Sequence, residues 1–257
     1  MKVVEYSVKD RIGFITLNRP DKRNALSYEL VAELKEAFTV AEKDEHVKVI
    51  VLKANGEAFC AGADLAYVQQ LQKFSYEENL QDSNHLKELF LKIYTHSKIV
   101  IAQVQGHALA GGCGLATVCD VVYAVPGAKF GYTEVKIGFI PALVSVFLLR
   151  KIGESKSKEL LLSGELISAD QALQMGLITK IIPAEKLEKE VADLAKKLIE
   201  SNSGQSMELT KQIIAQVQGM SLNDALNYTA EMNAHARGTD DCKRGIAAFL
   251  NKEKLKW

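Results

Sequence analysis

Three short stretches of the chain hold residue types that could do chemistry. The first is Ala61-Gly62-Ala63-Asp64. Small residues at the end of a strand let another backbone or a ligand approach closely. If Ala63 enters the following helix, its N–H lacks an intrahelical partner and is free to donate to an anion. A tight strand-to-helix turn capped by Asp64 accounts for the same residues without chemistry. The second is Ala110-Gly111-Gly112-Cys113-Gly114-Leu115, with three glycines in four residues. Each glycine costs a helix about 1 kcal/mol relative to alanine, so helix propensity does not explain them. Between a strand and a helix they gather free amides and the positive helix end at one point. Two amides converging from these two turns would form an oxyanion hole for a thioester or ester oxygen. Close helix–sheet packing is the alternative. The third is Glu134, a lone acid among apolar and small residues in Phe130–Pro141. Partial desolvation there raises a carboxyl pKa and suits general acid–base work. The alternative is an exposed acid paired with Lys136.

Other chemistries lack their residue patterns. The five histidines show no H-x-x-x-H spacing, so no metal site is expected. Ser145 lies in no G-x-S-x-G frame. The glycine run is followed by no Gly-Lys-[Ser/Thr] and lacks the dinucleotide G-x-G-x-x-G spacing. Cys60 and Cys113 read as small fillers. His107 reads as a packed strand-end residue, and Tyr67 as packing.

The elements that must position these groups follow from periodicity. Val3–Val8 and Ile12–Leu17 read as a hairpin around Lys9-Asp10-Arg11. Ser27 offers an N-cap to a helix carrying Leu30, Leu34, Ala37, Phe38 and Ala41. Val47–Leu52, Ile99–Val104 and Val121–Val125 read as strands. Residues 66–97 read as helix, loop, helix, and Leu115–Cys119 as the helix that the glycine run opens. This alternation favours an α/β architecture with helices packed on sheet. After Ile182-Pro183 the chain reads as helices over Lys186–Ser201, Ser206–Gln218, Leu222–Arg237 and Asp240–Leu250. The expected division is a body of residues 1–195 and a helical tail of residues 196–257.

Composition narrows the partners. The 257 residues carry 32 Lys+Arg and 32 Asp+Glu, which offers no net charge to steer nucleic acid or an anionic membrane. The longest apolar run, Phe139–Leu149, is interrupted by Pro141 and Ser145 and reads as buried protein, not a membrane span. Met1–Arg11 alternates like a strand and lacks the layout of a signal peptide. Four cysteines without a C-x-x-C pair suit reduced thiols, and the cytoplasm is the expected location.

Taken together, the motifs resemble one family. Leu17-Asn18-Arg19-Pro20…Asn24-Ala25-Leu26, Phe59-Cys60-Ala61-Gly62-Ala63-Asp64-Leu65 and Gly106…Ala110-Gly111-Gly112-Cys113-Gly114-Leu115…Cys119-Asp120 are similar to blocks of the crotonase superfamily, the enoyl-CoA hydratase/isomerase family. So are Phe130-Gly131…Glu134…Gly138…Pro141, Ser163-Gly164…Ala172…Gly176-Leu177 and Thr239-Asp240-Asp241…Gly245…Ala248-Phe249. The resemblance runs essentially end to end. It implies an α/β fold, a crotonase-like spiral of ββα units with two roughly perpendicular sheets and a helical C-terminal region that builds trimers or dimers of trimers.

The implied substrate is an acyl-CoA thioester, with no cofactor beyond the CoA that the substrate carries. Ala63 and Gly111 match the amide pair that polarises the thioester carbonyl, and Glu134 matches a catalytic acid/base. The segment Lys22–Ala25 and the stretch Ala61–Leu65 match CoA-contacting positions, with Lys22, Arg23, Ala25, Ala61, Asp64 and Leu65 as the expected contacts, and the two basic residues suit CoA phosphates. Gly112, Gly114, Tyr132 and Pro141 are further expected substrate contacts, Tyr132 as an acyl contact, and Phe249 and Lys252 are expected at the adenine end. Typical hydratases of the family hold water between two glutamates, and Gly114 stands where the first would be. One glutamate suffices for a Δ3,Δ2-enoyl-CoA isomerase, which only removes and returns a proton. The blocks around Gly114 and Glu134 look most like the branch that includes methylglutaconyl-CoA and other branched enoyl-CoA hydratases. A hydratase is therefore the expected activity and an isomerase the alternative. A non-catalytic acyl-CoA-binding relative is the further alternative.

Overall fold

The computed structural model describes residues 2–257, with the side chain of Leu65 outside the described set. Strands β1 (Val4–Lys9) and β2 (Ile12–Leu17) pair antiparallel, Val4 opposite Leu17. Asp10 and Arg11 both take positive φ, 51° and 64°, as a two-residue hairpin turn of the right twist requires. Helix α1 (Tyr28–Lys43) starts at Ser27, whose side chain accepts from the Leu30 amide. Its face of Leu30, Leu34, Phe38 and Ala41 is buried against the hairpin.

Strand β3 (Val49–Ala54) lies parallel to β2. Its Val49–Leu52 run is fully buried, as in a strand covered on both faces. Helices α2 (Leu65–Leu71) and α3 (Tyr76–Tyr94) cross over to β4 (Ile99–Val104), parallel to β3. Then come β5 (Ala108–Leu109), α4 (Gly111–Thr117), β6 (Val121–Ala124) and β7 (Lys129–Gly131). Helix α5 (Ala142–Ser163) kinks at Gly153, with φ 77° and ψ 171°. It is followed by β8 (Ile167–Ser168), α6 (Ala169–Met175), β9 (Lys180–Ile181) and α7 (Ala184–Ser201).

The strands form one six-stranded sheet, in the order β1-β2-β3-β4-β6-β9, and one three-stranded sheet, β5-β7-β8. Two isolated parallel bridges, Leu26 with Ala63 and Cys60 with Ala108, extend the smaller sheet toward the first glycine turn. That convergence is what positions the site.

Helix α7 buries Leu187, Val191, Ala195 and Ile199 against β3, β4 and β6. The boundary expected at 195/196 thus falls inside a helix that packs on the body. The helical tail proper is α8 (Gly204–Val217), α9 (Leu222–Gly238) and α10 (Asp240–Leu250).

The reading of Phe139–Leu149 as buried is corrected. Phe139 and Ile140 are each 64% exposed, and Val146 and Leu149 are exposed as well. Only Val144 and Leu148, four residues apart on one face of α5, are buried.

Candidate active site

The first wall of the site is the chain just after β2. Arg23 and Asn24 both take left-handed φ, 50° and 53°. Asn24 is fully buried and satisfied: its Nδ2 donates to the carbonyls of Asn55 and Ala58, and its Oδ1 accepts from the Arg19 amide. Asparagine tolerates this conformation better than other residues with a Cβ. The strained turn lets Leu26 pair with the second segment. The Leu26 amide donates to Gly62 O at 2.7 Å, and the Asp64 amide to Leu26 O at 2.9 Å. The Ala63 amide lies between these bonds and takes no part in them.

Gly62 has φ 91°, and a Cβ there would lie 2.8 Å from Ala110 Cβ, 3.0 Å from Leu109 O and 3.6 Å from Gly111 N. The two glycine turns therefore touch. Ala110 is held at φ 50° and ψ −126°, and from it α4 starts at Gly111. A Cβ on Gly112 would collide with Cys60 O at 2.2 Å, so glycine is needed for the helix start to press on the strand end. Among the described residues, neither the Ala63 nor the Gly111 amide has an acceptor within the protein. Ala63 is exposed and Gly111 half-buried.

Glu134 opens a short 3-10 turn, Glu134–Ile137, after β7. It is half-buried, and its Oε2 is enclosed with no hydrogen-bond partner among the described residues. Burial pushes its pKa up, with its own amide pulling partly back. The alternative partner, Lys136, pairs instead with Glu165 at 2.7 Å. The Cys113 thiol is pushed up to about 11, by burial first, with the Glu134 charge adding to the rise. It is no thiolate nucleophile at neutral pH.

The arrangement is a pair of free amides from two touching turns, together with one desolvated carboxyl. That constellation can stabilise a developing oxyanion and move a proton. The sequence pattern of the family described as enoyl-CoA hydratase/isomerase matches residues 7–257. The chain belongs to the enoyl-CoA hydratase/isomerase family.

Its relatives in this family cover it end to end. A Thermus thermophilus protein assigned as an enoyl-CoA hydratase is 43% identical over 244 residues, 95% of this chain and 96% of its own. The 2,3-dehydroadipyl-CoA hydratase of Escherichia coli is 34% identical, over 96% of this chain and 94% of its own. The solved structure of an enoyl-CoA hydratase from Mycobacterium smegmatis superposes with a TM-score of 0.93 at 29% identity. It covers 100% of this chain and 99% of that one. The α/β fold with two sheets and a helical C-terminal region is thereby that of the enoyl-CoA hydratase/isomerase family.

The family positions named from sequence fall in several settings. Ala61 is clipped to the first wall by its amide, which donates to Arg23 O at 3.0 Å. Lys22 and Arg23 are exposed beside it, and Ala25 is buried beneath. Pro141 stands at the start of α5. Phe249 is 83% exposed on α10, and Lys252 follows that helix with φ 57°. Gly112 is covered by the Cys60 carbonyl. The Leu65 side chain lies outside the described residues.

The expected acyl contact at Tyr132 is corrected. Tyr132 is fully buried and its hydroxyl bonds Thr117 Oγ1 at 2.8 Å, so it packs in the core. Gly114 is buried beneath Val144. His107, expected to be packed, is exposed, and its Nδ1 accepts from the Lys129 amide. Sequence reasoning takes in Asn24 only within the CoA-contacting stretch Lys22–Ala25 and leaves Arg19 out of the site. The available signal was an Arg–Asn pair flanking Pro20-Asp21-Lys22-Arg23, which no local pattern links to Asp64.

Proposed function

We propose that the protein adds water across the double bond of a 2-enoyl-CoA thioester. The carrying observation is the enclosed, unpaired carboxyl of Glu134 in a chain whose Ala63 and Gly111 amides are free and belong to two turns in contact. The thioester oxygen accepts from the two amides. Glu134 takes a proton from water as the oxygen attacks Cβ, and the electron pair moves to the thioester oxygen as an enolate. Glu134 then returns that proton to Cα, and the 3-hydroxyacyl thioester leaves. The free amides bind the enolate more strongly than the ground-state carbonyl, which is where the rate gain arises.

A second reading has its own observation. Gly114 supplies no carboxyl, and Val144 occupies the space above it, so nothing at that position holds a water. Shifting a Δ3 double bond to Δ2 needs only Glu134 and the amide pair. A panel of 2-enoyl- and 3-enoyl-CoA substrates separates the two. Loss of conjugated-thioester absorbance from a 2-enoyl substrate is hydration, and its gain from a 3-enoyl substrate is isomerisation. The panel includes 3-methylglutaconyl-CoA, because the sequence resembles that branch. It also includes 2,3-dehydroadipyl-CoA, the substrate in the E. coli relative's name. Tight acyl-CoA binding without turnover across the panel would mark a non-catalytic relative instead.

The lip of Lys22 and Arg23 is assigned to CoA phosphates, and Phe249 and Lys252 to the adenine end. A neighbouring subunit supplies the latter pair in a homotrimer or dimer of trimers. The exposed Leu222, Leu226, Ile246, Phe249 and Leu250 of α9 and α10 support such assembly, since so much apolar surface favours burial. No resident cofactor is proposed, because the reaction is proton transfer and water addition. All four cysteines are free, which supports a reducing, cytoplasmic setting. No helix among the described residues is long and apolar enough to cross a membrane. No nucleic-acid or membrane partner is proposed.

A further inference from the structure

Gly114 follows Gly111 by one turn on α4, so the two face the same side of the helix. A Cβ on Gly114 would lie 2.2 Å from Val144 Cγ1 and 3.3 Å from Phe90 Cζ. Val144 is 4% exposed and Phe90 fully buried. The floor beyond Gly111 is therefore one methyl of α5 and one ring tip of α3, seated on bare α4 backbone.

A cavity of about 770 Å³ lies behind this floor, between the body and α8. The next turn of each of the same three helices lines it. Thr117 and Val118 follow Gly114, Phe147 follows Val144, and Tyr94 follows Phe90. The Phe147 ring packs edge-on against Phe90, with centroids 6.2 Å apart, and against Tyr94 at 5.1 Å. Phe147 and Tyr94 thus join the floor's packing to the cavity wall. From Gly111 to Val118 is seven residues of α4 and its cap, about 10 Å along the axis. Two of the cavity's cations are firmly engaged, Lys151 donating to the carbonyls of Thr117 and Cys119 and Lys211 to Asp120, while the third, Arg150, is exposed at the rim. Tyr94, Phe147, Met207 and Ile214 leave apolar lining for a hydrocarbon tail.

We propose that Val144 is a specificity-determining residue that, with Phe90, partitions the acyl site from this cavity and restricts the protein to short acyl chains. The proposal rests on the reading of Ala63, Gly111 and Glu134 as an acyl-CoA site. Trimming Val144 opens the floor where α4 has no side chain of its own, and a longer tail then passes into the cavity.

The test is calorimetric binding of butanoyl-CoA and octanoyl-CoA, which do not turn over, to wild type, Val144→Ala and Phe90→Leu. Turnover of the matching 2-enoyl-CoA thioesters is measured in parallel. Wild type favours the shorter ligand. Val144→Ala raises the octanoyl-to-butanoyl affinity ratio about tenfold or more, the lower end of what one methylene decides in an apolar pocket. Phe90→Leu moves the ratio the same way from the opposite helix, and serves should Val144→Ala fail to fold. Gly114→Ala alone loses thermal stability, and adding Val144→Ala restores it, because the new methyl takes the vacated space. Equal wild-type affinity for both ligands, or an unchanged ratio in folded variants, overturns the proposal. A shifted ratio without turnover of any enoyl-CoA sinks the proposed reaction and leaves the partition standing. Failure of every protein to bind either ligand sinks the acyl-CoA site and the partition with it.

Discussion

Arg19 Nη1 lies 2.7 Å from Asp64 Oδ2, and this pair ties the chain after β2 to the start of α2. The other oxygen of Asp64 accepts from the Ala66 and Tyr67 amides, capping α2. Arg19 Nη1 also reaches Ala25 O at 3.3 Å. One carboxylate therefore braces both sides of the turn that presents the Ala63 amide.

Asp64→Ala should cost about 1–2 kcal/mol of stability, the usual loss for an N-cap. Asp64→Asn keeps an acceptor for the helix amides and should cost less. Burial raises the Asp64 pKa, but Arg19 and the two helix amides outweigh it and hold the carboxyl below its ordinary 3.8. A folded value below the unfolded one means the contribution is complete above 3.8 and fades as pH falls through the folded value. Thermal melts of wild type and Asp64→Asn should therefore converge in acid. A gap that widens toward low pH would show that the pair does not stabilise the fold.

Glu134→Gln should move activity and stability in opposite directions. Turnover should fall about a hundred- to ten-thousandfold, the range of a lost general base. Burial holds the carboxyl above its ordinary 4.5, so ionising it opposes folding. The penalty is absent below 4.5 and enters as pH rises through the folded value. The glutamine variant should therefore melt higher than wild type at neutral pH and not in acid. The acid limb of kcat/KM should lie above 4.5. A limb at or below that value, or full turnover by the variant, would remove Glu134 from the chemistry.

Ala63→Pro removes one amide hydrogen and leaves the neighbouring ladder, which uses the Leu26 and Asp64 amides. The expected loss is about a hundred- to a thousandfold in kcat, that of one oxyanion donor. Circular dichroism should stay unchanged, and KM should move far less than kcat. An equal effect on both would mean that the amide merely binds.

The long, periodic elements were legible in the sequence, and the contact-driven ones were not. Ser27 and the face of Leu30, Leu34 and Phe38 announce α1, because cap and period agree. Ile99–Val104 appears with the limits expected of it. Strands β5, β8 and β9 have two residues each, too few for a period to show. Helix α4 was expected from Leu115 yet begins at Gly111. There the demands of Cys60, Leu26 and Val144 for empty space override glycine's poor propensity. The glycine turns and Glu134 stood out by composition. Asn24 and Arg19 did not, since their partners lie up to 45 positions away. Tyr132 was expected at the pocket because nothing local reveals that Thr117 takes its hydroxyl.

Lys211, which is only 7% exposed, is one of the ties between the helical tail and the body. From α8 its Nζ donates to Asp120 Oδ2 at 2.7 Å, and to the carbonyls of Ile93 and Lys98 at 3.2 Å. The same Asp120 oxygen accepts from the Val100 amide, so one carboxylate joins the tail to β4. Lys211→Met keeps most of the apolar stem and deletes the charge. It leaves an acidic group whose pKa burial already raises, without the cation that pulls it down. The expected cost is about 1.5–3 kcal/mol, the range for a charged hydrogen bond, because Lys211 is buried while the Asp120 side chain keeps 23% of its exposure. Asp120→Asn in the same chain should recover part of it, because no uncompensated charge remains. Since α8 walls the cavity behind Val144, proteolysis should cut the Lys211→Met tail first and the body later. Loss of body and tail together would show that the pair stabilises the whole fold and not this junction.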